Sequence, residues 1–318
     1  MQSIKYLIKN SYSIFICYSG ILSLWLKIRP DRKNITFIAY HNANEKRIKK
    51  QLIALDKFYN IISLEEGIRC LQGLAPIKSN SLVITFDDGY ADFYDKLFPI
   101  FQDMNIPATM FLLPHLIDIN DITWFDFTKL MIESCKDEFL DLAGTRFSLK
   151  KPRNDVCSEI IVFLNKKTSA NRHRILNTLR KTMPIEKNLM SAYKLLAWDE
   201  IKRMSGLITY GAHTQTHPNL ATVDGVQARN EILGSKKRLE EVLQCEIKYF
   251  AYPFGDENSF TSETIEILKD TKFECALTLL NGSCRQGNDL YRLKRYCVDG
   301  NISGHALATL LSNLWVYI

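Results

Sequence analysis

Two adjacent aspartates close an apolar run: Thr85-Phe86-Asp87-Asp88-Gly89-Tyr90. Ser81 to Phe86 reads as a buried strand, with Leu82, Val83, Ile84 and Phe86 supplying its apolar content. Carboxylates at such a strand end repel each other and lose hydration, so both stay ionised only beside a positive group. Neighbours on a regular strand face opposite ways. If both serve one site the strand must be ending, and Gly89 lets the backbone turn. An acidic turn without chemistry is the alternative. A second cluster, Gly211-Ala212-His213-Thr214-Gln215-Thr216-His217-Pro218, holds two of the six histidines, four residues apart. It follows a short strand expected over 207–210. With a carboxylate from elsewhere, two such imidazoles make a set suited to zinc and other first-row divalent metals, leaving positions for water and substrate. Two solvated loop histidines are the competing reading. A third cluster, Phe250-Ala251-Tyr252-Pro253-Phe254-Gly255, reads as a strand ending in a turn that can present a backbone N–H to a developing oxyanion.

In this order the three clusters resemble the polysaccharide deacetylase family, the one named for the NodB homology domain. Further similarity lies in Phe37-Ile38-Ala39-Tyr40-His41, Ile106-Pro107-Ala108-Thr109-Met110-Phe111 and Leu196-Ala197-Trp198-Asp199-Glu200-Ile201, so the resemblance runs from about residue 35 to about 300. It implies that Asp88, His213 and His217 are metal ligands and Asp87 the general base. Zinc is the ion expected first, with cobalt, nickel, manganese and iron(II) as alternatives. The implied reaction is removal of acetyl groups from N-acetylated sugars, with the Phe254 N–H holding the oxyanion. The chain departs from the commonest pattern at the proton donor. His305, in Ser303-Gly304-His305-Ala306-Leu307, sits at the expected start of a terminal helix, whereas His41 follows an apolar strand and is the better candidate acid. Ala251 stands where many members carry an arginine that orients the base, and Arg295 is the residue expected to take that role.

The elements that must position these residues alternate. Strands are expected over 35–40, 61–64, 81–86, 107–113, 207–210, 249–252 and 275–279, with helices over 48–59, through Phe93, Leu97 and Phe101, and over 198–204, 226–243 and 261–269. Such alternation indicates a parallel sheet, and chemistry at several strand ends favours an incomplete (β/α) barrel of about seven strands. The charges of the 226–243 helix are expected on a solvated face. The catalytic barrel is assigned to 34–318, with a mainly helical insertion over about 114–195. Trp124, Phe125 and Asp126 open that insertion and suit either a sugar face or a core aromatic pair.

The chain has 318 residues, 46% hydrophobic and 24% charged, and a net charge of +6. Residues 1–50 hold ten Lys/Arg against two Asp/Glu, so the basic character belongs to the N-terminus. The basic segment 1–33 includes an aromatic, apolar stretch from Tyr12 to Ile28. It is expected to form an amphipathic helix at a membrane surface, through residues 1–30, with Trp25 at the interface; a helix packed on the barrel and a membrane anchor are the alternatives. Eight cysteines without Cys-x-x-Cys spacing read as reduced core residues, which suits a cytoplasmic protein peripheral to the inner membrane, with export as the alternative. No nucleic-acid partner is expected, since no aromatic-basic interleaving or phosphate loop is present. The expected partner is an N-acetylated glycan of the cell envelope or its lipid-linked precursor. The competing functions are a carbon–nitrogen hydrolase of a small cyclic amide or ureide, and an idle glycan-binding domain.

Overall fold

The computed structural model describes residues 11–41, 44–183, 185, 187–298 and 302–314. Its main sheet contains β1 (Ile35–Tyr40), β2 (Asn60–Ile62), β3 (Ser81–Phe86), β4 (Ala108–Leu112), β7 (Ile208–Ala212), β8 (Tyr249–Ala251), β9 (Cys275–Leu277), β10 (Ser283–Cys284) and β11 (Tyr296–Cys297), with β5 (Phe139–Leu142) and β6 (Thr145–Ser148) forming a separate hairpin. The path β1-β3-β4-β7-β8-β9 is parallel throughout. Every residue of β1, β3 and β4 is buried, as expected for parallel strands covered on both faces. Alternate residues divide between two cores. Phe37, Val83, Phe111, Ala251 and Leu277 pack inside the curled sheet, while Ile38, Ile84, Met110, Ala212 and Phe250 pack outward under the helices.

The curl nearly closes. Leu293 pairs with Leu277 on one side, and three residues later β11 pairs in parallel with β1, so the stretch 293–298 spans the gap between β9 and β1. The result is the incomplete α/β barrel that the alternation predicts. The register aligns the C-terminal ends of the strands. Tyr40 lies opposite Phe86, Leu112 opposite Ala212, and Ala212 opposite Phe250, so the residues just beyond these pairs meet at one rim.

The region 114–195 is mainly helical and has its own core, built on Trp124, Phe127, Met131, Val156, Ile160 and Leu164. It also contains the β5–β6 hairpin, which the helical reading omits. Its two-residue turn, Ala143-Gly144, has both φ values positive, as the tightest hairpin turns require.

The N-terminal stretch corrects the single-helix expectation. Two helices, α1 (Ser11–Tyr18) and α2 (Ile21–Ile28), meet at a 71° bend, with Gly20 at φ 82° between them. Trp25 turns inward, its indole Nε1 donating to Ser312 O at 2.8 Å, and Arg29 is buried, with Nη1 donating to Leu311 O. Ile16, Leu22 and Leu26 join the barrel core, whereas Phe15, Tyr18, Leu24 and Ile28 are 60–72% exposed. Composition alone does not distinguish these two faces. Among the described residues no single helix is long and apolar enough to cross a membrane.

Candidate active site

Asp87 is the next inward position after Val83 and Thr85 on β3, so strand alternation aims it into the barrel. Asp88 would then face outward, but its φ of 69° and the 79° of Gly89 turn the chain and bring the second carboxylate to the same rim. Thr214, His217 and Phe254 also have positive φ, at 68°, 58° and 64°. Left-handed backbone at non-glycine residues is held only where the surroundings over-determine it, and such positions gather at functional sites. Gly255 has little alternative: a Cβ there would lie 2.6 Å from the Leu279 amide nitrogen.

Asp88, His213 and His217 are all buried, and one ligand atom from each lies within 4.8 Å of the others. Asp88 Oδ1 is 3.7 Å from His213 Nε2 and 3.6 Å from His217 Nε2. His213 Nδ1 lies 2.7 Å from Ala251 O, which fixes the proton on Nδ1 and leaves the Nε2 lone pair facing Asp88. Both Asp88 oxygens are buried with no hydrogen-bond partner among the described residues. Buried carboxylate oxygens without donors fit the ligands of a cation better than any neutral arrangement. The residues present therefore suit a divalent metal.

Protonation points the same way. Burial and the charges of Asp87 and Asp126 push Asp88 well above the ordinary carboxyl range. Burial pushes His213 down to about 4 and, helped by His213 and His41, holds His217 well below its ordinary value. Without a cation, burial thus favours the uncharged form of all three groups. Loading zinc is thus expected to release a proton from Asp88, and apparent affinity should fall as pH falls. Calorimetric titration in buffers of different ionisation enthalpy measures the release; a proton count near zero contradicts it.

Asp87 is held differently. Arg295, fully buried, donates from Nη1 to Oδ1 at 2.7 Å and from Nη2 to Oδ2 at 2.9 Å, a two-pronged grip. Its Nη1 also reaches Thr85 Oγ1, its Nε donates to Thr278 O, and its plane lies over Phe111. Burial alone would raise Asp87, but Arg295, His213 and His41 outweigh it and hold the carboxylate at about 2. Arg295 therefore meets the expected base, arriving on the stretch that spans the barrel gap.

His41 Nε2 is 3.9 Å from Asp87 Oδ2, placed there because Tyr40 pairs with Phe86. His305 is elsewhere: it opens the terminal helix Gly304–Leu311, with its ring 5.3 Å from that of Tyr18. The Phe254 amide donates to no acceptor among the described residues and stays available.

Several residues of the site carry no motif. His217 is flanked by the rings of Phe125 and Phe254, each 4.9 Å away, and its carbonyl accepts from Trp124 Nε1 at 3.0 Å. Trp124 and Phe125 are thus packed against the histidine loop, and Trp124 is not an open sugar platform. Asp126 is buried and accepts from Tyr90 and Thr123. Glu231 departs from the solvated face expected for its helix. It is buried, and it accepts from the Gln215 and Thr216 amides and the Thr216 hydroxyl, fixing the loop between the two histidines. The only signal for it is its spacing on the helix with Ala228 and Ile232, also buried.

The family model for polysaccharide deacetylase matches residues 75–276. The chain belongs to the polysaccharide deacetylase family. YxkH of Bacillus subtilis is 19% identical over 301 residues, covering 92% of this chain and 81% of that protein. The deacetylase PplD of Streptococcus pyogenes, solved in complex with acetate, superposes with a TM-score of 0.59 at 19% identity, covering 87% of this chain and 98% of that one. IcaB from Ammonifex degensii gives 0.58 at 18% identity, covering 88% and 97%. These likenesses establish the curled α/β barrel as the family fold, and family membership supports glycan deacetylation as the activity of this polysaccharide deacetylase.

Proposed function

We propose that this polysaccharide deacetylase is a metal-dependent N-deacetylase, acting on an N-acetylated sugar of a cell-envelope glycan or of its lipid-linked precursor. The observation that carries the reading is the pairing of two buried aspartates with opposite fates. Asp88 is left without donors beside two imidazoles, and its neighbour Asp87 is neutralised by Arg295. A divalent cation, zinc foremost, held by Asp88, His213 and His217 would polarise the amide carbonyl and acidify a water. Asp87 accepts the proton of the attacking water, and the Arg295 fork keeps its oxygens aimed at it. The Phe254 N–H donates to the developing oxyanion, a contact worth about 3 kcal/mol. His41, a third exposed at the rim, gives the departing nitrogen its proton. Acetate release from N-acetylglucosamine oligomers and lipid-linked sugars, with and without Zn²⁺ or Co²⁺, tests the reading; none from any substrate in the metal-loaded protein overturns it.

The acid role has its own consequence. An amide nitrogen cannot leave without a proton, whereas a nitrophenolate can. His41→Ala should lower amide hydrolysis by roughly 10²–10⁴-fold and 4-nitrophenyl acetate hydrolysis far less. Equal losses on both substrates would remove His41 as the acid.

The membrane part of the proposal draws support from the outward side chains Phe15, Tyr18, Leu24 and Ile28 beside Lys27, a face suited to an anionic lipid surface. Flotation with anionic vesicles should carry the full chain upward and leave a Phe15→Ser/Leu24→Ser variant behind. If both float alike, this face does not anchor the protein.

A further inference from the structure

A cavity lies beside the histidine loop. It encloses about 170 Å³ between the helix Ser169–Thr182 of the insertion and the barrel, and its walls include Arg172, Trp124, Arg180, Asp121, His115 and His173. By volume it holds roughly five waters at about 30 Å³ each, or a phosphate group with water around it.

Arg172 is the informative wall. The residue is 4% exposed, its Nη1 is buried with no acceptor among the described residues, and its guanidinium lies 4.9 Å over the Trp124 ring. The carboxylates nearby are already engaged. Both oxygens of Glu231 are taken by Gln215 and Thr216, and Asp121 is bonded to Arg180 at 2.9 Å. Burial lowers the Arg172 pKa only to about 10, so the group remains cationic at neutral pH. Glu231 acts on Arg172 only at a distance, and a buried cation whose Nη1 has no acceptor is a costly arrangement unless an anion completes it. The planar fork of arginine fits the oxygens of a phosphate.

We propose that Arg172 and this cavity form an anion-binding site, separate from the metal centre, that takes a phosphate group either free or carried on a sugar. The ring that Arg172 covers also holds the His217 carbonyl, so occupancy bears on the histidine loop. The site stands whether or not the chain removes acetyl groups.

Calorimetric titration of the full chain with inorganic phosphate, metal-loaded and after chelation, tests it. Saturable binding should persist in both states, weaken by roughly tenfold or more in Arg172→Gln, and be partly kept in Arg172→Lys. Phosphate binding that vanishes on chelation belongs to the metal centre, and binding that Arg172→Gln leaves unchanged does not use this cavity; either result overturns the proposal. No saturation of the chelated wild type by about 10 mM phosphate overturns it even if the variants fail to fold. Comparing phosphate with N-acetylglucosamine 1-phosphate, in the binding that Arg172→Gln removes, distinguishes the source: tighter binding of the sugar phosphate assigns the group to a sugar, and equal binding assigns it to the free anion.

Discussion

Replacing Arg295 with methionine is expected to cut acetate release by roughly 10²–10⁴-fold and to destabilise the fold by about 3–5 kcal/mol. Both effects have one origin. The guanidinium satisfies both oxygens of Asp87 and the Thr85 hydroxyl inside a closed core, and removing it leaves an unpaired buried carboxylate. The pH dependence separates this account from a packing defect. Asp87 sits at about 2 in the folded protein, below the ~3.9 of an unfolded aspartate. A depressed carboxyl contributes stability that is complete above about pH 4 and is lost as pH falls towards 2, worth on the order of 3 kcal/mol. In the wild type Asp87 therefore stays ionised at any working pH, and the acid limb of the rate profile is set by other groups. In Arg295→Met burial acts with less opposition, the Asp87 pKa rises, and an acid limb moves towards neutrality. Arg295→Lys keeps the charge without the fork and should fall between. A methionine variant with unchanged rate and an unmoved acid limb would remove Arg295 from the site.

Asp88→Asn is expected to separate activity from stability in opposite directions. The isosteric amide keeps the shape of the turn but is a far weaker ligand, so metal content falls and acetate release drops by about 10³-fold or more, as several kcal/mol of Lewis-acid assistance is lost. The chelated variant should nevertheless melt above chelated wild type. A carboxyl raised by burial holds a proton in the folded state that the unfolded chain has shed, so it opposes folding increasingly as pH rises above ~3.9. Asparagine does not titrate, so the gap between the two chelated melts should widen as pH rises above ~3.9. Elemental analysis and thermal melts with and without chelator measure both arms. Full metal content with normal rate in Asp88→Asn would refute the assigned ligand set.

Strands such as Ile35–Tyr40 and Ser81–Phe86 were legible because parallel strands buried on both faces read as unbroken apolar runs, and the chemistry stood out because three polar clusters each followed such a run. What stayed hidden depended on direction or distance. Trp25 has the same composition whether it meets lipid or donates to Ser312 O, and only the bend at Gly20 decides. The hairpin at 139–148 escaped notice because its strands are four residues each and its turn uses Ala143 at φ 46°, a conformation alanine seldom adopts. Glu231 looked like one more surface charge, since nothing local reveals that two loop amides point at it. Arg295 was legible only through the resemblance, as the arginine to replace the one missing at Ala251, and its partner Asp87 lies 208 residues away in the chain.

The stretch 293–298 has a temporal consequence. It leaves the ribosome after β1 to β9, yet it supplies both the seam of the barrel and the counter-charge for its innermost acid. A nascent chain halted before Leu293 already carries β1 to β9, but its interior still exposes a lone anion that resists drying. Sealing the ring and arming the enzyme therefore belong to one event that must wait for the strands on either side of the gap.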